Sequence, residues 1–109
     1  MPDAETRYAL PSSLAANELA FGGRWDVHAT EATAGRAAVL ALHYTARDVY
    51  LVLSGHGTLR VTEGATTLRT VAVAGVPNLY TLVASHHVTT GVLVLHASNG
   101  LHAWDFTFG

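Results

Sequence analysis

Seven histidines in a chain of 109 residues raise metal binding first. A histidine metal site usually shows itself as a close pair on one face, or as an HxH strand motif with a distant third ligand. His86 and His87 are adjacent and would face opposite ways on a strand, while His43, His56, His96 and His102 are scattered. One arrangement approaches a cupin-like metal-binding barrel: His43, then Asp48, Tyr50 and Gly55-His56-Gly57, with His86 as the distant ligand. It stays a lesser alternative, because Thr45 stands where the second histidine is needed and Asp48 lies at the wrong offset. The histidines are therefore read as polar surface residues, with no resident metal or cofactor expected.

Nucleophilic catalysis has less support. Ser54 lacks the flanking glycines of a nucleophile elbow. Ser85 and His86 are neighbours in sequence only, whereas a triad is defined by geometry. Asp26, Glu31, Asp48, Glu63 and Asp105 offer no preferred pair for glycoside hydrolysis. No glycine-rich loop leads into a helix to cradle phosphate. The chain is expected not to be an enzyme.

The remaining chemistry is stacking. A flat ring can cover the apolar face of a pyranose while polar neighbours bind its hydroxyls. Trp25, Tyr50, Tyr80 and Trp104 are the candidate rings. Trp104 shares a strand face with Phe106 and Phe108, and large aromatics dominate sandwich cores, so it is assigned to the core. Tyr50 lies opposite the Val49/Leu51/Leu53 stripe and is the better surface ring. Trp25 fits either place. The expected contact set is Trp25, Tyr50 and Tyr80, with His43 or His86 as polar partners.

These side chains must be held by strands. Ala38, Leu40, Leu42 and Tyr44 alternate with Val39, Ala41 and His43, and Val49, Leu51 and Leu53 alternate with Asp48, Tyr50 and Val52. Arg24 to Thr30, Leu59 to Thr62, Leu68 to Val73, Leu79 to Ala84 and Val92 to His96 supply further strands. Thr33-Ala34-Gly35, Ser54-Gly55-His56-Gly57, Glu63-Gly64, Gly75-Val76-Pro77-Asn78, Ser85-His86-His87 and Ser98-Asn99-Gly100 read as turns or loops. Ser12 or Ser13 can cap a short helix through Leu14 to Leu19, and an extended reading fits equally well. The chain closes on Leu101 to Gly109, whose aromatic stripe needs cover inside a sheet. Short strands at regular spacing predict an all-β sandwich of jelly-roll type over residues 12–109, with residues 1–11 as a linker or N-terminal tether.

Half of the residues are hydrophobic and 13% are charged, with a formal net charge of -2. That is enough for the core of one domain, and it leaves no basic footprint for nucleic acid or an anionic membrane. The longest apolar runs are strand-sized, so no transmembrane helix is expected. No secretion signal is visible after Met1, so work outside the cytoplasm requires a longer chain to carry the domain there. There is no cysteine, hence no disulfide and no thiol redox chemistry.

Several segments together resemble one family. They are Tyr8-Ala9-Leu10-Pro11-Ser12-Ser13-Leu14-Ala15-Ala16, Gly23-Arg24-Trp25, Tyr44 to Val52, Gly57-Thr58-Leu59 and Phe106-Thr107-Phe108-Gly109. In order and over nearly the whole chain they are similar to the C-terminal domain of DipZ-type bacterial proteins. There a DsbD-like, cytochrome c biogenesis membrane domain precedes an extracytoplasmic thioredoxin-like domain. A β-sandwich resembling carbohydrate-binding modules comes last. The resemblance implies an extracytoplasmic, non-catalytic accessory module whose partners are a glycan or the neighbouring thioredoxin-like domain. It also favours an extended path from Leu14 to Trp25. The family's CxxC chemistry belongs to a different domain and does not transfer.

Overall fold

The computed structural model describes residues 6–108 apart from 12, 16, 29 and 30, with the backbone alone at 105, 107 and 108. Its elements are β1 (Thr6–Tyr8), β2 (Leu19–Val27), β3 (Ala32–Ala34), β4 (Ala38–Glu63), β5 (Thr66–Ala97) and β6 (His102–Phe108). Every pairing is antiparallel. No helix forms among the described residues, and the stretch before β2 is irregular. The proposed cap at Ser12 lies outside the described residues.

β4 and β5 are too long to be single straight strands, and each passes through both layers of a sandwich. In one layer, residues 19–22 pair with 39–42, residues 38–46 with 89–97, and residues 59–62 with both 94–97 and 67–71. In the other, residues 48–53 lie between 78–84 and β6, and β6 continues through β3 and the end of β2 to β1. Register shifts between Ala46 and Asp48 and between Leu53 and Gly55 mark where β4 changes layer. A bulge twists and bends its strand, which is what a corner requires.

The alternation read from sequence sets the core. Leu40, Leu42, Leu59, Val61, Leu93 and Leu95 from the first layer meet Val49, Leu51, Leu53 and Leu82 from the second in one buried cluster. The Glu63-Gly64 hairpin forms as expected, with Glu63 paired to Thr66. Other local expectations change. Ala32–Ala34 is a strand, and the turn moves to Arg36 and Ala37. The small side chains of Ala32 and Ala34, both buried, let this short strand sit between β2 and β6. The Gly75–Asn78 and Ser85–His87 breaks are extended segments within β5. Thr6–Tyr8, assigned from sequence to the tether, adds to the sheet as an edge strand.

Trp104 leaves the core place expected for it, and Trp25, which fitted either place, is the buried one. Trp25 is only 1% exposed. Its Nε1 donates to the carbonyls of Gly22 at 2.9 Å and Val39 at 3.2 Å, so its one polar atom is satisfied inside the core. Phe21 packs edge-on against it at 5.3 Å, and Tyr8 follows at 5.5 Å from Phe21. Trp104 instead lies at the surface, 36% exposed. The reason is a bulge in the last strand. Leu53 pairs with Ala103 and Leu51 with Phe106, so two residues of β6 stand against one of β4. Strict alternation would put Ala103 and Phe106 on opposite faces. The inserted residue turns both inward and removes Trp104 from the core row.

Candidate functional site

The bulge places Trp104 on the rim of a cleft of about 340 Å³ that opens between the two layers. Its floor is apolar: Leu40 and Leu42 come from the first layer, and Leu51 and Phe106 from the second. Phe21, on β2, closes one side and is itself braced by Trp25. The rim carries Asn17, His28 and Glu31, together with the half-exposed Leu19 and Val27. Such a mixture of apolar wall and few polar groups is the usual make-up of a small-ligand site.

Short-range contacts fix the rim. The Trp104 Nε1 donates to the buried Ser54 Oγ at 2.8 Å, which ties the indole to the layer-crossing corner of β4. Glu31 pairs with His102 Nδ1 at 2.6 Å, and the Thr33 hydroxyl stands 3.0 Å from the same nitrogen. His28 Nε2 meets Asp26 Oδ2 at 3.3 Å. The other Asp26 oxygen is buried and has no partner among the described residues. A buried acceptor left without a donor is costly.

None of the five residues chosen from sequence lines this cleft. Trp25 is in the core, which removes it from the expected contact set. Tyr50 is half-buried on the outer face of its layer, between the backbones of Thr81 and Thr107. Tyr80 pairs with Leu51 and packs against the core, on the opposite face from Tyr50. His43 belongs to the other layer, where its Nδ1 lies 3.1 Å from the Leu14 carbonyl and its backbone holds Asn17 and Glu18. His86 is exposed in β5, between the paired residues Ala84 and Thr89. The set is thus spread over both layers. Among the described residues no three His, Asp or Glu side chains come together to hold a metal, so the cupin-like set of His43, Asp48 and His86 is not assembled. Reasoning from sequence missed Asn17, His28, Glu31 and Trp104 as a group. The Glu31-to-His102 link spans most of the chain, and no local spacing announces it.

Outside the cleft, His96 is partly buried beside Arg60 and Thr62. Burial, and then the Arg60 charge, hold its pKa below the ordinary 6.5. Between the folded and ordinary values the unfolded chain binds a proton that the folded chain refuses. The associated stability is therefore complete above about pH 6.5 and declines as pH falls toward the folded value. Urea melts taken from about pH 7.5 down to about pH 5 should show this decline, and His96→Gln should flatten it. An unchanged slope in the variant would assign the decline to other groups.

The chain matches the family model described as "Thioredoxin like C-terminal domain" over residues 1–109. It is 38% identical over 100 residues to Protein DipZ of Mycobacterium bovis and of Mycobacterium tuberculosis, which covers 91% of this chain and 14% of those proteins. The chain therefore spans about a seventh of the length of these curated relatives. Among solved structures, it is similar to a family two carbohydrate esterase from Clostridium thermocellum in complex with cellohexaose. That match has a TM-score of 0.69 at 18% identity and covers 84% of this chain and 31% of the other. It is also similar to the carbohydrate-binding module CsCBM6-3 from Clostridium stercorarium in complex with cellobiose. Here the TM-score is 0.53 at 17% identity, covering 99% and 94%. At such identities the likeness establishes the fold, a jelly-roll β-sandwich of the carbohydrate-binding-module type. The sequence match establishes the family: this chain belongs to the thioredoxin-like C-terminal domain family.

Proposed function

We propose that this chain is a non-catalytic accessory module that binds a carbohydrate in the cleft between its two layers. The observation that carries the reading is Trp104, held by Ser54 at the edge of an apolar cleft whose rim also bears His28, Glu31 and Asn17. The indole supplies a stacking surface, and the polar rim supplies partners for sugar hydroxyls. In this reading the rim residues bind hydroxyls and take no part in a reaction. The match to DipZ supports a place in the cell envelope, as part of a longer thiol–disulfide protein. No helix among the described residues is long and apolar enough to cross a membrane.

The test is an NMR titration with a panel of cell-envelope and plant glycans, read at the Trp104 indole N–H. Saturable shifts at Trp104 and at the His28 and Glu31 amides are expected with one sugar class. Affinity should be weak, because an open cleft buries little of a short oligosaccharide. Silence across the panel would remove the carbohydrate reading.

A second reading has its own support on the outer face of the second layer. Tyr50 and Val52 there stand beside Thr81 and Leu79, and Leu79 and the nearby Val76 are 51% and 78% exposed. An apolar patch of this kind suits contact with another domain. Shifts confined to Leu79, Val76 and Tyr50 on adding the thioredoxin-like domain of the same protein would make the module a packing partner.

A further inference from the structure

The chain carries six cationic side chains in all. Three of them, Arg7, Arg24 and Arg36, line a single groove of about 590 Å³ together with Tyr8, Gly23 and Ala37. The groove shares no lining residue with the inter-layer cleft. No carboxylate is found among its described lining residues.

The backbone forces this crowding. Arg7 on β1 stands directly opposite Arg24 on β2. The Arg24 N–H donates to the Arg36 carbonyl at 3.1 Å, and the Gly35 N–H donates to the Arg24 carbonyl at 2.8 Å. Two strands and a turn thus bring three guanidinium stems to one place, and all three residues are exposed. Arg24 has a further interaction of its own, so the ligand contacts are assigned to Arg7 and Arg36.

We propose that this groove is a binding site for a multivalent oxyanion, a ligand bearing at least two carboxylate or phosphate groups. The planar fork of arginine matches either group with two parallel hydrogen bonds. Arg7 and Arg36 project from different elements, so each takes a separate acidic group. This site is independent of the carbohydrate reading of the cleft.

The test is calorimetric titration of the 109-residue chain with inorganic pyrophosphate and, separately, with trigalacturonate, at low and at physiological salt. Saturable binding of at least one probe, weaker at the higher salt, is expected. Pyrophosphate alone would identify a phosphate ligand, trigalacturonate alone a carboxylate ligand, and both together the shared oxyanion chemistry. Arg7→Gln and Arg36→Gln should each weaken binding about tenfold. Arg47→Gln, an exposed control on the β4 bend, should change it less than about twofold. Melting temperatures of the two groove variants should be little changed, because both side chains are exposed. If Arg36→Gln fails to fold, Arg36→Lys keeps the charge, loses the fork, and should still weaken binding. No saturable binding of either probe would overturn the proposal, as would equal loss in the Arg47 control.

Discussion

Trp25→Ala is expected to unfold the domain at temperatures where Trp104→Ala leaves it intact. Truncating a buried tryptophan costs about 3 to 5 kcal/mol when the surroundings cannot collapse. Collapse is hindered here because Trp25 is wedged under Phe21 and bonded to the carbonyls of Gly22 and Val39. Those carbonyls lose a donor in the variant, which adds to the cost. For a domain whose whole stability is about 5 to 15 kcal/mol, the melting temperature should fall by at least about 15 °C. Trp104→Ala also removes buried area and leaves the buried Ser54 hydroxyl without that donor, but the indole is 36% exposed and lies outside the core, so the loss should be smaller, about 1 to 2 kcal/mol. Its distinctive effect is on binding. Loss of a stacking anchor is worth about 2 kcal/mol, or about thirtyfold in affinity for the glycan that binds. Thermal melts and titrations on the two variants test both halves. Equal melting losses would return Trp104 to the core, and glycan affinity unchanged in Trp104→Ala would move the site elsewhere.

Gly23→Ala should be nearly as damaging, for a backbone reason. Gly23 has φ of 75°, and a Cβ built there would collide with the Ala37 carbonyl. The left-handed conformation costs alanine about 1 to 2 kcal/mol by itself. The clash adds more, since relieving it displaces the turn that bonds Arg24 to Arg36 and Gly35. A total loss of about 3 kcal/mol is expected. Gly64→Ala is the matched control. Its φ is 61°, but nothing lies within 4 Å of the added carbon, so only the conformational cost of about 1 kcal/mol remains. Urea melts that rank Gly64→Ala at or above Gly23→Ala in cost would refute this account of the turn.

The first variant pair also shows where reading the residues in line stops. Tryptophans at 25 and 104 look alike in sequence, each on an alternating strand beside other apolar residues. Their fates differ because Trp25 lies in unbroken register with β1 and β3, while Trp104 lies within the bulge against β4. A bulge is a property of two paired strands, and the partner of β6 is about fifty residues away in the chain. The same limit explains the contact set. Local alternation alone sets Tyr50 opposite the Val49/Leu51/Leu53 stripe. It offers Tyr80 as a contact ring, yet pairing with Leu51 turns that side chain inward.

By itself the sequence determined the all-β character, the inward stripes of Leu40 and Leu42 and of Val49, Leu51 and Leu53, the Glu63-Gly64 hairpin, and the family. These depend on side-chain alternation, turn chemistry and linear similarity, all of which are written along the chain. Only the tertiary structure decided which tryptophan is buried. It also decided that Asn17, His28, Glu31 and Trp104 share a rim, and that Arg7, Arg24 and Arg36 share a groove. Those groupings depend on strand register and on the corners where β4 and β5 change layer. A shift of one residue in register exchanges the two faces of a strand, and no local pattern specifies which distant segment a strand will meet.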